Sequence, residues 1–282
     1  MTGTLYLCAT PIGNLQDISE RVLDTLRSVD LIAAEDTRNS IKLLNHFGID
    51  TPMTSYHEHN KVEKGRTLIE RLKAGDSIAL VTDAGTPAIS DPGELLVVMC
   101  HKEGIPVTSL PGPVALIVAL TLSGLSARRF CFEGFLPAEK KDRNHILEEL
   151  SDETRTIVLY EAPHHLIGTL KDLRDALGER KITICRELTK KFETVMPLTL
   201  DRAIEFYKDN EPRGEYVLVI EGMDRQILEQ KRQSEYDDIS IEEHMKIYED
   251  RGIDSKTAMK NVAKDRGISK REVYQAILSL KK

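Results

Sequence analysis

Tryptophan is absent from the 282 residues, aromatic residues make up only 5%, and there are four cysteines. The cysteines stand at 8, 100, 131 and 185, with no Cys-x-x-Cys pair among them. Neither a zinc knuckle nor a disulfide framework is expected from that spacing. Cys8, Cys131 and Cys185 fall in strand-like apolar runs and Cys100 ends a helix-like one, which reads as small buried thiols. The longest apolar run, residues 114–120, is far below the about 20 residues of a membrane span. The opening Met1-Thr-Gly-Thr4 has neither the basic nor the hydrophobic segment of a secretory leader. A cytoplasmic protein with no membrane contact is expected. G-x-G-x-x-G and G-x-x-x-x-G-K-[ST] are both missing, so a phosphate cradle of either kind is unsupported; H-E-x-x-H is missing too, and no metal is expected. Excess positive charge is also lacking: the formal net charge is -7. The distribution is uneven, with eight Lys/Arg against two Asp/Glu in residues 255–282 and five against ten in residues 224–254. The tail is basic although the whole is acidic.

What is present is alternation. Residues 5–9, 31–34, 77–81 and 105–110 are short apolar runs that read as buried strands, and helical spacing separates them. That order implies right-handed βαβ units and a parallel sheet. The stretch Leu80-Val-Thr-Asp-Ala-Gly-Thr-Pro-Ala-Ile-Ser-Asp-Pro-Gly93 follows one such strand. Its glycines and prolines break regular structure, and its Thr, Ser and Asp side chains bond nearby backbone. Comparable polar loops follow the other strands, and ligands of open α/β sheets bind at the carboxyl ends of strands. After a boundary near residues 123–129, residues 130–135, 156–160, 182–185, 194–198 and 216–220 read as strands of a mixed sheet. The expected architecture is therefore two α/β domains, 1–124 with a parallel sheet and 125–222 with a mixed sheet, and a cleft between them. Residues 223–238 read as a linker. Residues 239–282 read as three short helices resembling a helix-turn-helix, with capping boxes at Ser240–Glu243 and Ser269–Glu272. Ile241, Met245 and Tyr248 fall on one face, Ala258 and Val262 are expected to face inward, and the last helix carries Val273, Ile277 and Leu278.

Loops with acidic side chains and glycines suit a ligand gripped mainly by backbone, with Gly13, Gly85 and Gly112 allowing close approach. Asp83 suits a cation or hydroxyl donors. S-adenosylmethionine, with a sulfonium, an ammonium and a ribose diol, is such a ligand. Thr10-Pro-Ile-Gly-Asn-Leu-Gln-Asp17, Ala34-Glu-Asp-Thr-Arg38, Tyr56-His-Glu-His-Asn60, the loop of residues 83–93, Leu110-Pro-Gly-Pro113, Phe132-Glu-Gly-Phe-Leu-Pro137, Tyr160-Glu-Ala-Pro-His164 and Arg213-Gly-Glu215 stand in that order. Together they resemble the tetrapyrrole-methylase superfamily, and within it the ribosomal RNA small-subunit methyltransferase I branch, over residues 4–222. The resemblance implies methyl transfer from S-adenosylmethionine to the ribose 2′-oxygen of a cytidine in the decoding region of small-subunit RNA. The free RNA or the assembled small subunit would be the partner, and the form a homodimer.

Carried over motif by motif, the cofactor is expected on Pro11, Gly13, Asp83, Gly85, Thr86, Ser90, Pro113, Val114 and Ala115, with Glu161, Ala162 and Gly214 closing the far side. Val114 departs from the serine common in the family, so backbone contact is all that position retains. Glu35, Asp36 and His57 are the candidate proton acceptors. Arg38, Asn60, Arg186 and Lys191 are the candidate substrate contacts, the cations being suited to phosphate or base edges. Two other readings share the pattern. One is a small-molecule methylase acting on a corrin-type ring, for which a basic helical appendage has no use. The other is a ligand-sensing regulator that binds DNA through its terminal helices.

Overall fold

The computed structural model describes residues 2–280. The first half alternates β1 (Leu5–Cys8), α1 (Glu20–Ser28), β2 (Leu31–Ala34), α2 (Thr37–His46), β3 (Met53–Ser55), α3 (Lys61–Ala74), β4 (Ile78–Val81), α4 (Glu94–Lys102), β5 (Val107–Leu110) and α5 (Ala115–Leu122). The second contains β6 (Phe130–Phe135), α6 (Lys140–Ser151), β7 (Thr156–Glu161), α7 (Leu166–Leu177), β8 (Lys181–Arg186), β9 (Thr194–Thr199), α8 (Leu200–Asp209) and β10 (Tyr216–Ile220). Four short helices follow: α9 (Arg225–Ser234), α10 (Ile241–Glu249), α11 (Ser255–Asp265) and α12 (Lys270–Leu280).

The first sheet has the order β3-β2-β4-β1-β5, with every pairing parallel. Helices cover both its faces, which explains strands without polar alternation. Leu5, Ile78 and Leu80 enter one core with Leu68 and Leu72 of α3; Cys8, Ala79 and Val81 enter the opposite core with Val22 and Leu26 of α1. The second sheet has the order β6-β7-β10-β8-β9 and is mixed, parallel between β6 and β7 and antiparallel elsewhere. All four cysteines are buried, and none is in a disulfide. No helix among the described residues is long and apolar enough to cross a membrane.

Residues 1–150 and 155–221 form one compact unit. Its two sheets meet through α5. Leu116, Ala119 and Leu120 of that helix, with Ile12 from the loop after β1, pack on Val158 of β7, Cys185 of β8 and Val217 and Val219 of β10. The Leu116, Ala119 and Leu120 side of α5 is covered between the layers, while Ile117 and Leu122 of the same helix stay exposed.

Residues 151–154 and 222–282 form the other compact unit. The expected linker is instead partly helical. Asp224 caps α9 by accepting the Gln226 N–H at 2.7 Å. Its Leu, Gln, Lys, Arg and Glu are good helix formers, and its one buried residue is Leu228. A segment with a single apolar anchor carries no apolar period, which is why the sequence reads as a linker. The three terminal helices enclose Met245, Ala258, Val262, Ala263 and Val273. Both expected capping boxes form. On α12, Val273 is buried and Ile277 packs against this core, while Leu278 is 45% exposed. His244, unremarked in the sequence, is buried. It stacks on Tyr236 at 3.9 Å, and its Nδ1 accepts from Arg266 Nε at 3.2 Å.

If α5 joins the sheets, Leu120→Ala should destabilise the chain by about 2–5 kcal/mol. The check is a lowered urea midpoint with an unchanged denaturant slope.

Candidate active site

Because the first sheet is parallel, the loops after β1, β2, β4 and β5 all leave from one edge. They are tied there by a few bonds. Thr10 and Gly85 exchange backbone hydrogen bonds at 2.9 and 3.0 Å, and the Thr10 hydroxyl donates to the Thr82 carbonyl at 3.1 Å. The Asp83 N–H donates to the Glu35 carboxylate at 3.3 Å, and Asn39 Nδ2 donates to Asp83 at 2.9 Å. The Thr86 hydroxyl donates to the Pro113 carbonyl at 3.1 Å. Gly112 lies so close to β1 that an added Cβ would stand 2.5 Å from the Ala9 Cβ.

The second sheet supplies the opposite wall. The Tyr160 hydroxyl accepts from the Leu116 N–H at the start of α5, at 3.2 Å. Glu161 is buried, accepts from the Ala162 N–H at 2.7 Å and takes a further hydrogen bond from Thr169. Asn14, after β1, donates its N–H to the Thr189 hydroxyl at 3.1 Å. Ala88, Ser90, Glu187 and Thr189 are the non-glycine residues with positive φ among those described, and all four lie in the loops after β4 and β8. Each such conformation costs on the order of 1–3 kcal/mol, and strain of this kind gathers at ligand sites.

Between these walls is a cavity of about 510 Å³. Of the residues expected at the cofactor, Asp83, Gly85, Thr86, Ser90, Val114, Ala115, Glu161 and Ala162 line it, and Glu35 does as well. Pro11, Gly13, Pro113 and Gly214 are outside the lining. An added Cβ at Gly13 would stand 2.4 Å from Lys190 Cγ, and one at Gly214 would stand 2.6 Å from the Glu187 side chain. Asp36, Arg38, His57, Asn60, Arg186 and Lys191 also lie outside the lining. Asp36 caps α2 through the Arg38 N–H at 2.8 Å and holds the Arg38 guanidinium at 2.6 Å. Those bonds to Arg38 hold the Asp36 carboxyl down at about 2. The Arg38 side chain is 88% exposed. Asn60 accepts the His57 N–H at 2.8 Å, so the two are bound to each other. Arg186 buries its Nε without a partner, and the Lys191 amine stands 5.6 Å from the Phe192 ring centre.

Several lining residues were passed over in the sequence: Asp91, Phe135, Tyr160, Lys190 and Glu215. Asp91 was inside the organising loop and read as turn chemistry. Burial pushes its carboxyl up to about 7, and the charges of Glu35 and Asp83 add to the effect. Burial raises Glu35 too, against the Asp83 N–H, with the charges of Asp83 and Asp36 adding. Glu161 and Glu215 line the cavity as well, Glu215 paired with Lys190 at 2.8 Å; an opposite charge near Glu35 and Asp91 would relieve both penalties. No group of metal-ligating side chains occurs among the described residues.

A parallel sheet with a cavity at its strand ends, walled by a second mixed sheet, defines a two-sheet α/β protein with a ligand-sized cavity between the sheets. The chain belongs to the Tetrapyrrole (Corrin/Porphyrin) Methylases, whose family pattern matches residues 4–204. It is 48% identical over 272 residues to the ribosomal RNA small subunit methyltransferase I of Halalkalibacterium halodurans, covering 96% of this chain and 93% of that one. It is 46% identical over 274 residues to the protein of the same name from Bacillus subtilis, covering 97% and 94%. Among solved structures, a diphthine synthase superposes with TM-score 0.63 at 17% identity, over 85% of this chain and 98% of that one. A uroporphyrin-III C-methyl transferase from Thermus thermophilus, complexed with S-adenyl homocysteine, superposes with TM-score 0.55 at 17% identity, over 78% and 97%. These two likenesses concern the fold.

The contact between Gly112 and Ala9 makes Gly112→Ala an overpacking change, which should cost about 1–3 kcal/mol. Differential scanning calorimetry should show the lowered melting temperature, and Gly168→Ala, at a position in α7 with open space around it and no positive φ, serves as the comparison.

Proposed function

We propose that this protein, an S-adenosylmethionine-dependent ribosomal RNA methyltransferase, methylates the ribose 2′-oxygen of a cytidine in the decoding region of small-subunit RNA, in the cytoplasm. The observation that carries the reading is a cavity lined by Glu35, Asp83 and Asp91 at the strand ends of the family fold. Near-full-length similarity to ribosomal RNA methyltransferases, reaching past the family pattern into the terminal helices, supports the RNA substrate.

The residues present suit this cofactor. Carboxylates face a site where a sulfonium and an ammonium need counter-charge, and the backbone around Gly85, Thr86 and Ala115 offers polar groups for a sugar and a base. When bound, S-adenosylmethionine supplies a methyl group on positively charged sulfur, which leaves as a neutral thioether. The chain must do two further things. It must hold the ribose in line, and it must take the 2′-hydroxyl proton as that oxygen forms its bond to carbon. Asp91, with its proton affinity near neutrality, suits the second task best. Glu35 lines the same cavity and tunes it by charge. Asp36, engaged by Arg38, serves better with Arg38 as a clamp on RNA than as a base. His57 and Asn60 shape the turn before α3, and Arg186 at the end of β8 and Lys191 in the loop after it offer cations for phosphates.

The terminal helices fit the RNA role. Lys256, Lys260 and Lys264 recur every fourth residue on α11, all exposed, while Ala258 and Val262 of the same helix are buried. Spacing of four places them on one face, and Lys270 and Arg271 follow on α12. Two copies of the chain make up the working form in this reading. The exposed Ile117 and Leu122 of α5 are apolar area that pairing would cover.

Two outcomes are expected. Asp91→Asn should lower kcat on purified small subunits by roughly 10²–10⁴-fold, with S-adenosylmethionine still bound in calorimetry. Only the ionised carboxyl can accept a proton, so the wild-type rate should rise with pH through about 7 and then level. Glu35→Gln removes a like charge and should move that limb to lower pH. Replacing Lys256, Lys260 and Lys264 by alanine should flatten the salt dependence of RNA binding by about 2 in slope, at roughly 0.7 per lost phosphate contact. Filter binding across a salt series measures this, and an unchanged slope would remove α11 from the interface.

A further inference from the structure

β6 is an edge strand whose pairing with β7 slips by one residue. Cys131 opposes Ile157 and Phe132 opposes Val158, but Gly134 then opposes Leu159 and Phe135 opposes Tyr160, leaving Glu133 without a partner. Without the slip, alternation would put Phe135 on the same side as Cys131, which packs in the core with Ile157 and Leu159. The bulge reverses that. Phe132 and Phe135, three residues apart, both stand against Tyr160, with ring centres 4.9 and 5.7 Å away. Bulges next to active sites commonly re-aim a side chain in this way. Gly134 suits the bulge: its φ is +63, and an added Cβ would stand 3.2 Å from the Ser90 hydroxyl.

The re-aimed ring lines the cavity but is not covered by the protein. Phe135 is 57% exposed, whereas Phe132 is half-buried. A bare phenyl face has no polar atom with which to choose a hydrogen-bonding partner, but it takes any flat ring. Unpaired bases of RNA are bound by such faces, since stacking needs a base freed from its helix. On the reading of this site as an RNA methyltransferase, we propose that Phe135 is the stacking platform for an unpaired base of the RNA, at or beside the nucleotide that is methylated. The Gly134 bulge is the device that turns it there. Substrate selection then includes a demand that the target be single-stranded.

Methylation kinetics on purified small subunits, calorimetry with S-adenosylmethionine and thermal melting test this on the full chain. Phe135→Ala should raise KM for the subunit roughly 5- to 150-fold, the range for one lost base–aromatic stack, with the cofactor Kd and the melting temperature unchanged. Phe135→Trp should keep the wild-type KM, and Phe135→Leu, which keeps apolar bulk without a flat π-face, should resemble the alanine variant. An unchanged KM in Phe135→Ala, or a cofactor Kd weakened by the same factor, would overturn the proposal, the second outcome assigning the ring to the cofactor instead. A wild-type protein that transfers no methyl to ribosomal RNA would instead defeat the functional reading beneath it.

Discussion

The packing of α5 on the second sheet is the contact on which the site depends. Leu116, Ala119 and Leu120 reach Val158, Val217 and Val219 across the junction, and the hydrogen bond from the Leu116 N–H to Tyr160 lies at its rim. Each large apolar side chain buried there contributes about 1.5–3 kcal/mol. That is enough to hold two layers together without any covalent tie beyond the chain itself. With the layers fixed, the strand-end loops of the parallel sheet face β7 and β10, and the space left between them is the cavity.

That cavity is built at a cost. Four non-glycine residues, Ser90 of the cavity lining among them, hold left-handed backbone in the loops after β4 and β8, and five carboxylates line the cavity. A fold selected for stability alone would relax both features. Their coexistence at one place fits a site whose ligand restores the balance with positive charge and backbone contacts. The same electrostatics separates the acids by proton affinity. Asp36, half-buried and bound to Arg38, is held down at about 2, while Asp91, half-buried and desolvated beside like charges, is pushed up to about 7. Two carboxyls of one chemistry are thus given different proton affinities by their surroundings alone.

The helical unit carries a different kind of information. Its core is small, and its cohesion draws on polar contacts around His244, including Arg266 and the Tyr248 hydroxyl donating to Asp265 at 2.5 Å. Outside that core the charge of α11 is one-sided. An acidic protein can meet an acidic polymer only if its cations are concentrated, and the fourfold spacing of lysines does this without altering the net charge.

Much of this was legible in residue order. Alternating apolar runs and helical spacing determined the strands and their parallel arrangement, because burial on both faces leaves no other pattern. Ser-x-x-Glu determined two helix starts, and the glycines, prolines and short polar side chains marked the strand-end loops. The sequence overlooked α9, whose single apolar anchor leaves no period to read. Tertiary structure alone decided that Glu35 and Asp91 share a cavity while Asp36 and Arg38 spend their charges on each other. It alone decided that a one-residue slip at Gly134 carries Phe135 from the core side to the cavity side. Proton affinity and side-chain direction depend on what other strands bring near, and neighbours distant in the chain are invisible until the sheets have closed.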